Sequence, residues 1–258
     1  MKFEVSPTEP TLFRPGDILA QRGGSGWSEV LFHDGRNEVA LMCDGPGPTT
    51  SVASVHPNHN EFWFVMRGEY EWLIGDSPPL RAATGDIVMC PAGTTHTINM
   101  TGNGPGVRIA VYDPDGVTTT GSHEEITKDP SRTEPPNMLL TRTGELLQSS
   151  DQRRFTIIED GRNAVYLIRE YPGTVSNAHW HFDFDEWWVI MGGKLDFRIG
   201  EGRPTIHAER GDVVFTPRGF RHQITTVGDE PSLRMPVTTP DNVHIWTDDD
   251  RAAPPPRQ

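Results

Sequence analysis

Cysteine is scarce in this sequence, with two residues in a chain of 258. Cys43 and Cys90 lie far apart and form no CxxC pair. Disulfides belong to oxidising compartments, and clustered cysteines are the usual sign of a thiolate metal site. We therefore expect two buried thiols in a reducing compartment, with neither a disulfide nor a ligand role.

Basic residues are also few. The chain has 23 Lys and Arg against 36 Asp and Glu, which gives a formal net charge of −13 at pH 7. Nucleic acids and anionic membrane surfaces both attract clustered lysine and arginine. We therefore expect neither as a partner, and we interpret the acidic balance as a contribution to solubility.

Long apolar runs are missing as well. No run is long enough to cross a bilayer, and the N-terminal segment MKFEVSPTEPTLFRPGD lacks the apolar stretch of a secretory signal. We therefore expect a soluble protein located in the cytoplasm.

Glycine and proline are abundant, with 26 and 23 residues. They separate short runs of apolar and β-branched residues, such as EVALMC (38–43), EFWFVM (61–66) and EYEWLI (69–74). No segment has a convincing long helical period, and short strands with frequent turns are typical of a sandwich or barrel. The sequence predicts an all-β fold.

The sequence contains an internal repeat of two similar copies. Asp34-Gly-Arg-Asn recurs at Asp160, and Glu61 matches Glu186, at a spacing of about 125 residues. This spacing suits a duplicated domain. We predict a first domain over residues 1–125 and a second over 126–258. Further matched pairs are Gly68 with Gly193, Gly75 with Gly200, Gly85 with Gly211, Pro91 with Pro217, His96 with His222, and Arg108 with Arg234.

The second copy contains the segment HWHFDFDEWWVIMGG, from His179 to Gly193. Side chains two apart on a strand project from the same face, so His179 and His181 can direct two imidazoles at one point. Glu186 opens the next predicted strand and can bring a carboxylate to the same point. Two imidazoles and a carboxylate are the beginning of a first-row transition-metal site.

A later segment completes this set. Residues 211–222 read GDVVFTPRGFRH, with a turn glycine, a short apolar strand, Pro217 and Gly219 at a bend, and then His222. A lone histidine is more simply interpreted as a core or surface residue. Four ligand-type residues in this spacing favour a metal site instead.

The two segments resemble the cupin signature, whose motifs have the forms HxHx4Ex6G and GxxxxxPxGxxH. The resemblance implies two tandem double-stranded β-helix barrels, also called jelly rolls, and hence a bicupin. In cupins the histidines and the glutamate of these motifs bind a metal ion. The resemblance therefore implies that the metal ligands of the second copy are His179, His181, Glu186 and His222.

The first copy departs from the pattern. Its first motif reads SVHPNHNEFWFVMRG, so His56 aligns with His181, whereas Ser54 stands where His179 would be. We predict His56, Glu61 and His96 as ligands. His59 lies nearby, in the turn before the strand, and is a candidate fourth ligand.

Two histidines and one carboxylate form the facial triad of non-haem Fe(II) oxygenases, which leaves up to three positions for substrate and O2. The four-residue set of the second copy leaves two. Bicupins with such sets resemble gentisate-type and 3-hydroxyanthranilate-type ring-cleaving dioxygenases, and also oxalate decarboxylases, quercetin dioxygenases and several isomerases. The arginine that the 3-hydroxyanthranilate type carries shortly after its last histidine is absent after both His96 and His222.

These resemblances lead to three hypotheses. The first is a metal-dependent dioxygenase that acts on a small oxygenated substrate, either aromatic or aliphatic, with Fe(II) as the favoured ion and O2 as co-substrate. The second keeps the metal without O2, as an isomerase, decarboxylase or lyase, for which Mn, Ni or Zn would also serve. The third is a bicupin that binds a small molecule without catalysis. Exposed edge strands of jelly rolls can pair with those of a partner subunit, so a homo-oligomer remains an alternative to a monomer.

Aromatic side chains surround both predicted sites. Most of them should be core between the sheets. Trp63 and Trp188 share a strand face with Glu61 and Glu186, respectively, so we expect these two to be the better candidates for the lining of a substrate pocket.

Overall fold

The computed structural model describes residues 6–24, 26–120 and 134–246. The chain opens with strand β1 (Thr11–Phe13) and helix α1 (Pro15–Arg22), and a second short helix, α2, covers Thr143–Ser149. All the other elements in the described ranges are strands. The expected all-β fold, two tandem double-stranded β-helix barrels, is confirmed.

The residues divide into two compact units. The first consists of the described residues between Leu19 and Asp151. Its strands are β2 (Trp27–His33), β3 (Glu38–Asp44), β4 (Thr49–Thr50), β5 (Ser54–Val55), β6 (Glu61–Arg67), β7 (Glu69–Ile74), β8 (Leu80–Ala83), β9 (Ile87–Cys90), β10 (Thr95–Met100), β11 (Gly106–Tyr112), β12 (Thr119–Thr120) and β13 (Leu140–Thr141).

These strands form two antiparallel sheets. One has the order β13-β9-β6-β11-β3-β2, and the other has the order β12-β5-β10-β7-β8, with β4 also paired to β10. The alternation expected of half-buried strands is clear in β7, where Tyr70, Trp72 and Ile74 are buried and the residues between them are not. The buried side chains of both sheets form the hydrophobic core of the barrel.

The second unit consists of Ser6–Ile18 and the described residues from Gln152 onwards. Its sheets have the orders β1-β19-β16-β21-β15-β14 and β18-β17-β20. The strands after β13 are β14 (Arg154–Glu159), β15 (Ala164–Glu170), β16 (Glu186–Gly192), β17 (Lys194–Ile199), β18 (Ile206–Glu209), β19 (Val213–Thr216), β20 (His222–Val227) and β21 (Ser232–Thr238).

The units repeat each other in detail. Strand β17 has the same burial pattern as β7, with Leu195, Phe197 and Ile199 inside. A glycine precedes each of these strands in the left-handed region, Gly68 with φ +97° and Gly193 with φ +69°. Only glycine adopts this conformation without a steric penalty, so the matched glycines of the sequence mark matched turns.

The edge strands have an arrangement that the sequence did not predict. Strand β1, from the N-terminal segment, pairs with β19 of the second unit. Strand β13, which lies after the predicted boundary, pairs with β9 of the first unit. Each unit therefore completes its larger sheet with a strand distant in sequence, which a division at 125/126 does not describe. The boundary residues themselves lie outside the described ranges.

Cys43 and Cys90 are both free and buried, as predicted. In the described ranges, neither α1 nor α2 has the length and hydropathy of a membrane-spanning helix. The cytoplasmic location stays a prediction.

Candidate metal centres

The second unit brings its four predicted ligands together. His179 and His222 face each other across two antiparallel segments, and their backbones exchange hydrogen bonds of 3.1 and 2.8 Å. His181 lies two residues along the same segment, and Glu186 begins β16. Because the strand period is two, both histidines of the HxH pair point to the same side. One ligand-type atom from each of the four residues lies within 4.8 Å of the others.

The nitrogen and oxygen atoms of this group converge closely. The Glu186 Oε2 atom lies 2.8 Å from His181 Nε2 and 3.1 Å from His222 Nε2. The Nε2 atoms of His222 and His179 are 3.1 Å apart. His181, Glu186 and His222 are almost fully buried, and His179 is half-buried.

Backbone carbonyls orient all three imidazoles of the group. Nδ1 of His179 lies 2.9 Å from the Asn177 carbonyl oxygen, and Nδ1 of His222 lies 3.1 Å from that of Phe220. Nδ1 of His181 lies 2.9 Å from the carbonyl oxygen of Val243. A carbonyl oxygen can only accept, so each Nδ1 donates a hydrogen bond, and each Nε2 faces the centre, where it can serve as a metal ligand. This is how metal-ligating histidines are held, and the donor set therefore fits a transition-metal ion.

The charges of this buried group are strongly coupled to one another. Burial lowers the pKa of His179 to about 3, and the nearby His222 acts in the same direction. Burial also opposes the charged form of His181, but the Glu186 carboxylate outweighs it, so the pKa of His181 is raised. Burial would likewise raise the pKa of Glu186, yet His181 and His222 hold it well below its usual range. A buried carboxylate kept ionised needs a positive partner, which a metal ion would supply in place of the His181 proton.

The first unit assembles a smaller group of the same kind. His56, Glu61 and His96 are buried and lie within the same 4.8 Å reach. Glu61 Oε2 lies 2.5 Å from His56 Nε2 and 3.6 Å from His96 Nε2. Burial, more than any other influence, lowers the pKa of His96 to about 4, so its ring is neutral at pH 7. Two imidazole nitrogens and a carboxyl group again fit a transition-metal ion.

His59, the candidate fourth ligand, stands outside this group. Its ring is buried against His56, at 4.6 Å between ring centroids, and its Nδ1 lies 3.1 Å from the Asn58 side-chain oxygen. His59 follows His56 by three residues. In the second unit Phe184 follows His181 by three residues, and its ring packs on the His181 ring at 4.2 Å between centroids. The structure thus places His59 where the second unit has a packing ring.

Trp63 and Trp188, the pocket candidates, are fully buried members of the two hydrophobic cores. Each ring packs on the edge of the last histidine of its group: Trp63 at 5.1 Å from His96, and Trp188 at 5.3 Å from His222. They exclude water from the far side of each group. Contact with a substrate stays a prediction.

Sequence reasoning missed the segment that closes each group, at residues 113–120 and 239–246. In the first unit, Thr118 Oγ1 lies 3.1 Å from Nδ1 of His56. In the second unit, the rings of His244 and Trp246 lie 4.5 and 5.0 Å from that of His179. The signal was present, because Asp115-Gly-Val-Thr and Asp241-Asn-Val-His occupy matching places in the repeat.

Two all-β barrels in tandem, each with a buried group of histidines and one glutamate, define a class of duplicated metal-site jelly rolls. The Cupin domain model matches residues 40–112 and 166–238. The chain belongs to the cupin family, as a bicupin.

Individual proteins are more distantly similar. Oxalate decarboxylase of Bacillus subtilis (strain 168) is 29% identical over 83 residues, which span 31% of this chain and 21% of the decarboxylase. Salicylate 1,2-dioxygenase from Pseudaminobacter salicylatoxidans superimposes with a TM-score of 0.68 at 14% identity, over 93% of this chain and 86% of that chain. A mutant of the same Bacillus decarboxylase gives a TM-score of 0.60 at 17% identity, over 94% and 80%. These likenesses establish a shared fold.

Proposed function

We propose that this bicupin is a metal-dependent dioxygenase that acts on a small oxygenated, aromatic compound. The observation that carries the proposal is the buried group of His56, Glu61 and His96, which has the composition of the facial triad of non-haem Fe(II) oxygenases. The structural similarity to a salicylate 1,2-dioxygenase supports the proposal at the level of fold.

The protein's own residues have defined roles in this proposal. Glu61 and the Nε2 atoms of His56 and His96 would hold Fe(II), and the second group would hold a further ion. Bound Fe(II) would supply the electron path that allows O2 to react with an organic molecule. Trp63 keeps water away from one side of the triad, and Thr118 fixes the orientation of the His56 ring.

Oxygen uptake tests the proposal. Protein loaded anaerobically with Fe(II) is mixed with a panel of phenolic carboxylates and catechols in an oxygen-electrode cell. We expect stoichiometric consumption of O2 with at least one substrate, and loss of uptake in Glu61→Ala. Turnover of a substrate that continues unchanged without O2 would contradict the proposal.

A second candidate is a metal-dependent decarboxylase, isomerase or lyase that uses no O2, with Mn, Ni or Zn as the ion. Two observations favour it: the second group has three histidines and a glutamate, and the local sequence similarity is to an oxalate decarboxylase. Turnover of a carboxylate or carbonyl compound by the Mn-loaded protein under anaerobic conditions would support this candidate. A non-catalytic binder would be indicated if a Glu61→Ala, Glu186→Ala double variant behaved as the wild type in every assay.

A further inference from the structure

A row of polar side chains crosses the larger sheet of the first unit at the level of Glu61. The register of β11 against β6 places Tyr112 beside Glu61. On its other side Tyr112 is paired with Glu38 of β3, and Glu38 is paired in turn with His33 of β2. Residues directly opposite each other on antiparallel strands share a face of the sheet. The row therefore leads from a predicted metal ligand to β2, the last strand of this sheet.

Close polar contacts connect the outer three members of the row. The Tyr112 hydroxyl donates a hydrogen bond to Oε1 of Glu38. The other carboxylate oxygen of Glu38, Oε2, lies 3.4 Å from Nε2 of His33. Tyr112 packs against the hydrophobic core of the barrel, whereas the side chains of Glu38 and His33 are 21% and 16% exposed. The contacts therefore form a continuous chain from the barrel interior to the solvent at the sheet edge.

The second unit has no such chain in the matching row. There the register places Thr238 beside Glu186, Ala164 beside Thr238, and Glu159 beside Ala164. The Thr238 hydroxyl donates a hydrogen bond of 3.3 Å to the Ala164 carbonyl oxygen. The side chain of Ala164 can neither accept nor release a proton, so the row is interrupted at its middle position. The chain of three polar side chains is a property of the first unit.

The order of the groups suits the transfer of a proton outwards. A phenol donates and accepts through the same oxygen, and a carboxylate accepts through either of its two oxygens. The Tyr112 oxygen can take a proton from a hydroxyl group beside Glu61 while its own proton moves to Glu38. The Glu38 carboxyl then rotates and gives this proton to Nε2 of His33, which releases it to water. One proton leaves the site, and Tyr112 stays neutral throughout, in keeping with its pKa, which burial and the hydrogen bond to Glu38 raise.

We propose that Tyr112, Glu38 and His33 form a proton relay, which carries the proton of a substrate hydroxyl group from the first site to the solvent. This inference rests on the proposed function, because an oxygenated substrate loses a hydroxyl proton when it binds a metal ion as an anion. The relay gives the first site an exit for this proton that the second site does not have.

The binding of 4-nitrocatechol to zinc-loaded protein tests the inference, because the absorbance of this probe shifts when its hydroxyl groups lose protons and zinc has no redox chemistry. Stopped-flow absorbance in dilute buffer measures the rate of deprotonation, and Glu186→Ala identifies the phase that belongs to the first site. We expect Tyr112→Phe and Glu38→Gln to slow this phase by about 100-fold, within the usual contribution of a positioned acid or base. The zinc content per chain should stay the same in both variants.

Two further variants separate a relay from a structural role. Tyr70 also donates a hydrogen bond to a carboxylate in the first barrel, at 2.7 Å to Asp44, but it lies outside the row. Tyr70→Phe removes the same kind of contact and should leave the rate of deprotonation unchanged. His33→Ala should slow deprotonation, and imidazole added to the buffer should restore the rate, because the free imidazole replaces the last member of the relay.

The outcomes are distinct from those that test the dioxygenase proposal. An unchanged rate in Tyr112→Phe and Glu38→Gln, an equal loss in Tyr70→Phe, or no deprotonated probe in the wild type would overturn the inference. If Tyr112→Phe fails to fold, Glu38→Gln decides, since a glutamine can accept the hydrogen bond from Tyr112 but cannot pass on a proton. Relay-dependent deprotonation of the probe without O2 uptake in any assay would leave the inference standing and refute the dioxygenase proposal.

Discussion

Thr118 Oγ1 lies 3.1 Å from Nδ1 of His56, on the side of the ring away from the group that His56 joins. The second unit makes the equivalent contact with a backbone atom, the Val243 carbonyl oxygen, 2.9 Å from Nδ1 of His181. Both contacts come from the segment that closes the barrel at the end of each repeat. A side chain can be removed by mutation and a carbonyl cannot, so the first site is the one at which this contact can be tested.

Thr118→Val should lower the affinity of the first site for its metal by about ten- to 100-fold, the usual effect of losing a hydrogen bond to a ligating histidine. Competition with a chromophoric chelator measures this affinity. Thr97→Val is the matched control, because the Thr97 hydroxyl is buried without a hydrogen-bond partner in the described ranges. Equal affinities for both variants would show that the Thr118 contact does not orient His56.

Gly193 should be irreplaceable for two separable reasons. Its φ of +69° disfavours any side chain, and a Cβ atom there would lie 2.6 Å from the Pro231 carbonyl oxygen. Gly202 has φ +70° with nothing within 4 Å of the corresponding Cβ. We expect Gly202→Ala to lower the free energy of unfolding by about 1–2 kcal/mol.

Gly193→Ala should lower the free energy of unfolding by about 1–3 kcal/mol more than Gly202→Ala, because backbone atoms must move to admit the methyl group. Urea denaturation followed by tryptophan fluorescence measures both variants. A loss no larger than that of Gly202→Ala would mean that the approach of the Pro231 backbone is not tight in solution.

The core of the second barrel should depend on Phe197, which is fully buried and packs 5.2 Å from the ring of Trp188. Phe197→Ala should lower the free energy of unfolding by about 3–5 kcal/mol, since truncating a buried aromatic leaves a cavity. Phe182 is 60% exposed. Phe182→Ala should change the free energy of unfolding by about 0.5 kcal/mol or less, and a similar loss in both variants would argue against the placement of Phe197.

The two cysteines should be unreactive in the native protein. Burial raises the pKa of the Cys43 thiol. It also raises the pKa of the Cys90 thiol, and this second shift is large. The thiolate is the reactive form, so a colourimetric thiol reagent at pH 8 should modify neither residue within minutes and both after denaturation. Absence of free thiols in denatured, unreduced protein would reveal a disulfide.

The sequence was sufficient to predict those residues of the site whose positions depend on the two-residue period of a β-strand or on a turn. The HxH pair, the glutamate at the start of the next strand and the turn glycines all follow from the alternation of strand side chains and from positive φ. His181, Glu186 and Gly193 therefore fall where the motif placed them.

Long-range pairing could not be predicted in the same way. The N-terminal β1 completes the second unit through hydrogen bonds between backbones, which carry no residue signature. His59 is a candidate fourth ligand in the sequence because it is a histidine near His56, but the turn before β6 directs its ring to the packing position that Phe184 holds in the other unit. His244 and Trp246 were overlooked because only the folded chain returns them to His179.

Anomalous scattering from crystals grown with iron or manganese tests the central claim most directly. We expect two peaks per chain, one beside Glu61 and one beside Glu186, with the first absent in Glu61→Ala and the second absent in Glu186→Ala. Crystals without a peak at either glutamate after both ions have been supplied would contradict the claim that these buried groups bind metal.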